Sequence, residues 1–165
     1  MGTQRTADLR IERVSMAHPD ARLLTEEVQE EYVVRYGNRD ETPYDATEFD
    51  PPTGAFYVGY RDGLPVTMGG WRFRDDVSRL GSPRPVEIKR MYVVPAARRS
   101  GLARLMLAHL EATAREAGAD VVILETGLEQ PEGISLYESS GYERIDGFGH
   151  YRGFPSNRCY ARRLA

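Results

Sequence analysis

The chain has 165 residues, of which 41% are hydrophobic and 28% charged, and its formal net charge is −3. These values predict one domain, residues 1–165, and they exclude a general attraction to nucleic acid or to an anionic membrane surface. The one cysteine, Cys159, excludes an internal disulfide framework and a CxxC metal site. Since no apolar run reaches a bilayer span and MGTQRTADLR lacks the apolar segment of a signal peptide, we expect a cytoplasmic protein.

The first elements are a strand and a long helix. Residues 9–14, LRIERV, alternate apolar and charged side chains, as a half-buried strand does. Residues 18–37 carry apolar residues at helical spacing and end at a glycine, which predicts a helix. Residues 38–54 are polar and contain prolines, so we expect a loop with at most one helical turn.

A hairpin and a further strand follow. The turn is predicted at Asp62-Gly63, between the runs AFYVGY and LPVTMGGWRFR. Gly69 and Gly70 interrupt the second run and predict a bulge or a close backbone approach. After a polar loop, residues 86–94, VEIKRMYVV, predict a β-strand that Pro95 ends.

The second half alternates helices and strands. The stretch RRSGLARLML, residues 98–107, opens a helix that runs to about Ala117. Residues 120–126, DVVILET, predict a strand covered on both faces. A helix from Pro131 and two short terminal strands, separated by the loop DGFGHYRGFPSN, complete the chain. The apolar stripe of the first of these helices is predicted at Leu102, Leu105, Met106, Leu110 and Ala114.

This order predicts a mixed α/β fold. We expect a mostly antiparallel sheet with one central parallel β-α-β crossover between residues 86 and 126, of right-handed sense. The terminal strand near Arg158–Leu164 is expected at a sheet edge, where its unpaired backbone would allow a homodimer.

The helix mouth at residues 98–103 carries the pattern Arg-x-x-Gly-x-Ala. Unpaired backbone N–H groups and the positive end of the helix dipole make such a site suitable for phosphate. The alternative is a plain turn with a solvated basic pair. Because no Walker lysine and no G-x-G-x-x-G follow a strand, a phosphate site here predicts another kind of ligand.

Three features in order and spacing resemble the GNAT superfamily of acyl-CoA-dependent N-acyltransferases. They are the strand EIKRMYVV with its glutamate, the R-x-x-G-x-A helix mouth, and LYESSGY after the next strand. The resemblance is specific between Val86 and Ile145 and weaker elsewhere. It implies a GNAT-like fold and an N-acetyltransferase that uses acetyl-CoA as co-substrate, with no metal.

The resemblance also implies which residues hold the cofactor. The strand around Met91 should splay from its neighbour and pair with the pantetheine arm, and an N–H of Met91 or Tyr92 would act as an oxyanion donor. The helix mouth would hold the pyrophosphate, mainly through main-chain amides. Gln130 stands where the family often has asparagine. The cofactor-binding residues implied are Met91, Tyr92, Val93, Arg98, Arg99, Ser100, Gly101, Leu102, Ala103, Arg104 and Gln130.

Catalysis of amine acylation needs a base and an acid. Glu87 stands where one branch of the family carries its base; Glu125 and a water chain are the other candidates. The alternative for Glu87 is an ion pair with Arg or Lys89 on a strand. Tyr137 matches the family tyrosine that protonates the departing thiolate, against the alternative of a packed core tyrosine.

The predicted activity is direct transfer of acetyl from acetyl-CoA to a primary amine of a small molecule or a peptide, in a ternary complex. The alternative is a non-catalytic acyl-CoA-binding or regulatory domain on the same fold. Four groups are expected to border the acceptor pocket: Tyr32, Tyr36, Gly69-Gly70 and His150. His109 and Cys159 are expected to be packing residues.

Overall fold

Seven strands and three helices alternate along the chain in a computed structural model that describes residues 9–164. Residues 1–8, on which the signal-peptide expectation rests, lie outside the described residues. The strands are β1 (Arg10–Arg13), β2 (Gly54–Arg61), β3 (Leu64–Phe73), β4 (Val86–Val93), β5 (Val121–Gly127), β6 (Glu143–Ile145) and β7 (Asn157–Arg163). The helices are α1 (Pro19–Tyr36), α2 (Leu102–Glu116) and α3 (Pro131–Ser139), with 3₁₀ turns at Ala46–Phe49 and Pro95–Ala97.

All seven strands belong to one sheet, in the order β1-β2-β3-β4-β5-β7-β6. Only β4 and β5 pair in parallel, through α2, and every other pair is antiparallel. The predicted fold class, a mostly antiparallel sheet with one central β-α-β crossover, is confirmed.

The helices cover both faces of the sheet. Met106, Leu107 and Leu110 of α2 pack on one face, while Leu24 and Val28 of α1 pack on the other. The predicted stripe of α2 was wrong at one position. Leu105 is 38% exposed and Leu107 is buried in its place, because the buried face is centred one residue further along.

The glycine pair of β3 marks the one irregularity between β3 and β4. Met68 pairs with Tyr92 and Gly70 with Lys89, so Gly69 lies opposite two residues of β4. Arg90 at this point has φ of +62°, and the extra residue bulges out of the ladder. A Cβ on Gly69 would lie 2.9 Å from Leu110 of α2, which confirms the predicted close approach.

The prediction that the terminal strand lies at a sheet edge was wrong. β7 pairs with β5 on one side and with β6 on the other, so its backbone is used within the sheet. The three-residue β6 takes the edge. The edge-strand argument for a homodimer near Arg158–Leu164 therefore fails.

Candidate functional site

The parallel pair opens into a cleft at its carboxyl end. Its register runs only from Val86–Ile88 against Val122–Leu124. Beyond this point Lys89–Val93 and Glu125–Gly127 no longer pair with each other. The predicted splaying of the strand around Met91 is confirmed, and two cavities lie in the gap.

The first cavity, which we call the helix-mouth cleft, has a volume of about 580 Å³ and lies between α1, the start of α2 and α3. Gly101 is the N-cap of α2 with φ of +82° and makes no side-chain cap. The N–H groups of the first helical turn, Leu102–Arg104, therefore face the cleft without a capping side chain. This arrangement suits a phosphate group.

The two arginines at the helix mouth differ in role. The Arg98 guanidinium donates to the Val93 carbonyl at 2.9 Å and to Glu31 of α1 at 2.7 Å, so it joins β4 to α1. Arg99 is exposed and has φ of +64°. The backbone amides are thus better placed than the Arg98 side chain to hold an anion.

Most of the residues implied for the cofactor line this cleft. Ser100 is the exception, since its hydroxyl donates to the Ala97 carbonyl. Those that line it are Met91, Tyr92, Val93, Arg98, Arg99, Gly101, Leu102, Ala103, Arg104 and Gln130.

Replacing Gly101 by valine is expected to weaken acetyl-CoA binding by roughly tenfold. A β-branched residue at positive φ costs on the order of 1–2 kcal/mol, and relief of that strain would move the N–H groups that form the cradle. Titration calorimetry with acetyl-CoA measures the change. Arg99→Ala is the comparison and should weaken binding less; the opposite order would mean that side-chain charge, not backbone geometry, holds the phosphates.

The second cavity, which we call the aromatic cavity, has a volume of about 260 Å³. Its aromatic wall comes from α1, from α3 and from the loop before β7. Four residues line both cavities, and we call them the junction. The aromatic wall consists of Tyr32, Tyr36, Tyr137, Tyr151 and Phe154. The junction consists of Met91, Thr126, Gln130 and Tyr137.

Tyr36 fixes one side of the junction. Its hydroxyl donates to Gln130 Oε1 at 3.2 Å. A Cβ on Gly127 would lie 2.2 Å from the Tyr36 hydroxyl oxygen, so a side chain at residue 127 would displace that ring. The glycine at the end of β5 therefore allows α1 to reach across the cleft.

Tyr137 is 7% exposed and lies at the junction, on α3. Burial raises the pKa of this phenol well above its ordinary value of 10. The hydroxyl therefore stays protonated and is a hydrogen-bond donor at the boundary of the two cavities.

Glu125 is the carboxylate of β5 that lines the aromatic cavity. Its Oε1 is buried and has no hydrogen-bond partner among the described residues. Burial raises the pKa of Glu125 above its ordinary value, against the opposing effect of Lys89. The loop before β7 passes close to this carboxylate, since a Cβ on Gly149 would lie 2.0 Å from Oε1.

Glu87 lines neither of these cavities. It is 1% exposed, and its Oε1 accepts from Arg72 at 2.9 Å and from Arg74 at 2.8 Å. The structure thus gives no geometric support to Glu87 as a base. It matches the alternative of a strand glutamate paired with arginine. The partners are Arg72 on β3 and Arg74 just after β3, and Lys89 is not one of them.

Of the residues predicted to border the acceptor pocket, some line the aromatic cavity and others do not. Tyr32 and Tyr36 line the aromatic cavity. Gly69-Gly70 instead pack against α2 and β2, and His150 is exposed. Its loop nevertheless contributes Tyr151 and Phe154 to the wall. The packing residues are confirmed: His109 stacks on Tyr57 and Cys159 is buried.

Four charged residues of the aromatic cavity were not predicted from the sequence: Arg39, which pairs with Glu26, and three nearly buried residues. Lys89, Arg90 and Asp40 all line it, and their side chains are 9%, 4% and 13% exposed. The one available signal was that Lys89 is the chain's single lysine. Among residues 9–164, no cluster of three or more metal-ligating side chains occurs, and no helix is long and apolar enough to cross a membrane.

Comparison with known protein families and proteins identifies relatives of this chain. Residues 22–142 match the model of the acetyltransferase (GNAT) family. An IAA acetyltransferase of Azospirillum brasilense is 42% identical over 65 residues, which cover 39% of this chain and 42% of that protein. The match therefore spans less than half of the relative's own length.

Solved structures with low sequence identity share the fold. A Klebsiella pneumoniae structure assigned as an acyl-CoA N-acyltransferase has a TM-score of 0.79 at 23% identity, over 96% of this chain and 99% of that one. A GNAT family acetyltransferase of Elizabethkingia anophelis with acetyl-CoA bound has a TM-score of 0.65 at 13% identity, over 95% and 99%.

Proposed function

Since the chain belongs to the GNAT family of acetyltransferases, we propose that it transfers an acetyl group from acetyl-CoA to a primary amine of a small molecule. The transfer is direct, within a ternary complex of the single domain with both substrates. The observation that carries this proposal is the junction: two cavities, one suited to a phosphate-bearing donor and one aromatic, meet at Met91, Thr126, Gln130 and Tyr137.

The donor is assigned to the helix-mouth cleft. The uncapped amides at the start of α2 suit its pyrophosphate, and the unpaired part of β4 offers backbone groups to its pantetheine arm. We assign the stabilisation of negative charge on the thioester oxygen to a backbone N–H of Met91 or Tyr92, and the bulge supports Met91, which has no partner in the register, whereas Tyr92 pairs with Met68. The aromatic cavity is assigned to the acceptor, and its volume suits a small molecule.

We assign the base to Glu125 and not to Glu87. Glu125 lines the acceptor cavity, whereas Glu87 lines neither cavity and its Oε1 accepts from both Arg72 and Arg74. The raised pKa of Glu125 brings its proton affinity closer to the range useful for general-base catalysis near neutral pH.

The chemical step follows from this placement. The amine nitrogen attacks the thioester carbonyl, the new C–N bond forms and the C–S bond breaks. Glu125 takes the proton that the amine loses. The departing sulfur accepts a proton from the Tyr137 hydroxyl. Burial that raises the pKa of Tyr137 also raises the proton affinity of a thiolate beside it. Proton exchange with solvent then returns Tyr137 to the phenol and Glu125 to the carboxylate.

Release of CoA in the presence of a panel of primary amines tests the proposal. We expect amine-dependent release and a thermal shift with acetyl-CoA. A shift without turnover of any amine would favour the non-catalytic acyl-CoA-binding domain. Absence of a shift would reject the donor assignment itself.

Replacing Tyr137 by phenylalanine is expected to lower kcat by roughly 10- to 100-fold, the range of a single hydrogen-bond donor to developing charge. The KM for acetyl-CoA should change little, because the ring remains. Steady-state kinetics measure both values. Tyr142→Phe is the matched control, since that buried phenol on the same face donates to Glu111 outside the junction; equal losses in the two variants would contradict the assignment.

A further inference from the structure

We propose that the acceptor amine also carries a carboxylate, which binds to Lys89 and Arg90 while the amine faces Glu125. The inference rests on the proposed function, because it describes the substrate class of the same aromatic cavity. It is drawn from the charges of that cavity and from two buried polar atoms that the protein leaves without partners.

The two unpartnered atoms carry opposite charge. Arg90 Nη1 and Glu125 Oε1 are both buried and lack a hydrogen bond of good geometry with any described residue, although Asp40 lies 3.3 Å from Arg90 Nη1 and the loop at Gly149 passes close to the Glu125 carboxylate. Both residues line the aromatic cavity. Burial of polar groups without partners is costly, and such groups are normally satisfied by protein, water or ligand. A ligand with one anionic and one amine group satisfies both.

Asp40 by itself cannot pair both Lys89 and Arg90. Asp40 Oδ2 lies 3.8 Å from Lys89 Nζ and 3.3 Å from Arg90 Nη1, without hydrogen-bond geometry at the latter. Asp40 Oδ1 is already taken by Thr42 and by the Tyr151 hydroxyl. Two nearly buried cations therefore share a single carboxylate oxygen.

The ionisation state of Asp40 bears on the balance of charges in the aromatic cavity. Burial by itself would raise the pKa of Asp40, but Lys89, Arg90 and Thr42 outweigh it and hold the pKa at about 2. Asp40 thus contributes one negative charge against two positive charges, and Glu125 supplies the second negative charge while it is ionised. When Glu125 takes the amine proton and becomes neutral, one positive charge is left, which a ligand carboxylate balances.

Another cation of the cavity is already neutralised. Both terminal nitrogens of Arg39 donate to Glu26, at 3.2 and 2.8 Å. Arg39 is therefore not needed for the ligand, and the anion subsite reduces to Lys89 and Arg90.

The positions of the charges fit transfer at the junction. Lys89 and Arg90 precede Met91 on β4, and Glu125 precedes Thr126 on β5. The anion subsite and the base thus lie on the two splayed strands, next to the residues where the two cavities meet. The remaining wall is aromatic and suits an apolar substituent of the acceptor.

Matched acceptors test the inference. L-Leucine, L-leucinamide and 3-methylbutylamine share an apolar group and an amine but differ at the carboxylate, and corresponding sets can be built on phenylalanine, β-alanine and γ-aminobutyrate. We expect at least one amino acid to exceed its amide and its decarboxylated amine by about tenfold or more in kcat/KM, as charge-assisted hydrogen bonds allow.

The failures of the two proposals are distinguishable. Equal or better acetylation of the amides or simple amines rejects the carboxylate and leaves the acetyltransferase proposal standing. An acetyl-CoA thermal shift with no turnover of any acceptor rejects both the carboxylate inference and amine transfer. No thermal shift rejects the donor site as well.

Lys89→Met separates recognition from folding. For an amino-acid acceptor we expect KM to rise about tenfold. Because Lys89 also lowers the pKa of Glu125, kcat can change for every amine. The readout is therefore the ratio of kcat/KM for the amino acid to kcat/KM for the decarboxylated amine, which should fall about tenfold. Arg90→Gln removes the second positive charge of the anion subsite and should also raise KM for the amino-acid acceptor. Arg115→Met is the control, since this exposed residue of α2 loses the same charge far along the helix from the cleft.

Binding of the N-acetylated amino acid in the presence of CoA gives a readout without turnover. Titration calorimetry should show weaker binding to Lys89→Met than to the parent. An equal loss of affinity for acetylated amines without a carboxylate would mean that Lys89 only supports the fold, and would overturn the inference.

Discussion

Replacing Glu125 by glutamine is expected to lower kcat by roughly 100-fold or more, the range that general-base catalysis supplies. The amide keeps the size of the side chain but cannot take a proton from the amine. Steady-state release of CoA with a saturating amine measures the loss. Glu143→Gln, an exposed change of the same charge on β6, should leave kcat unaltered.

The pH dependence of activity tests the same assignment of Glu125 as the base. The base must be ionised, so activity of the parent protein should fall as pH falls through the raised pKa of Glu125. That acidic limb should disappear in Glu125→Gln. Because a raised pKa means that the folded state disfavours the charged carboxylate, the variant should also unfold at no lower temperature than the parent at neutral pH. A large fall in melting temperature would mean that Glu125 is structural.

Replacing Glu87 by glutamine is expected to destabilise the protein by about 3 kcal/mol. Loss of one charge from a buried ion pair leaves the partner charge poorly compensated, which commonly costs about 3–5 kcal/mol. The lower end applies here, because Arg72 keeps Glu48 and Arg74 keeps Asp76. Chemical denaturation measures the free energy of unfolding.

Glu48→Gln is the matched control for Glu87. It removes a carboxylate from the same arginine, but one whose side chain is 38% exposed, so the loss should stay below about 1 kcal/mol. The folded fraction of Glu87→Gln should retain kcat near that of the parent. A selective loss of kcat with unchanged stability would restore Glu87 as the base and contradict the assignment to Glu125.

The elements of this fold were largely predictable because local patterns act over short distances. The alternation in β1 and the spacing of Leu24 and Val28 in α1 indicate which face of each element avoids water, and the apolar run of β5 indicates that both of its faces do. The Asp62-Gly63 turn needs positive φ at both residues, which the structure has. The GNAT resemblance then fixed the topology between β4 and β6.

The order of the strands at the end of the sheet was harder to predict from the sequence. The sequence of β7 carries no sign that β6 would pair on its outer side, because both are short and are separated by an irregular loop. The error at Leu105 has a similar origin. A helix with apolar residues at three consecutive positions, Leu105–Leu107, can rotate slightly, and only the shape of the sheet beneath decides which of them is buried.

The sequence by itself determined the family, the helix mouth and the junction tyrosine, since these depend on contiguous residues whose spacing is fixed by one strand and one helix. Only the tertiary structure supplies the reason for proposing Glu125 rather than Glu87 as the base. Neither strand's sequence shows which glutamate is ion-paired, but Arg72 and Arg74 donate to Glu87, whereas Glu125 lines a cavity. The charged wall formed by Asp40, Lys89 and Arg90 likewise joins a loop to a strand far along the chain. Long-range packing sets the burial and the pairing of each charge, and through them its chemistry.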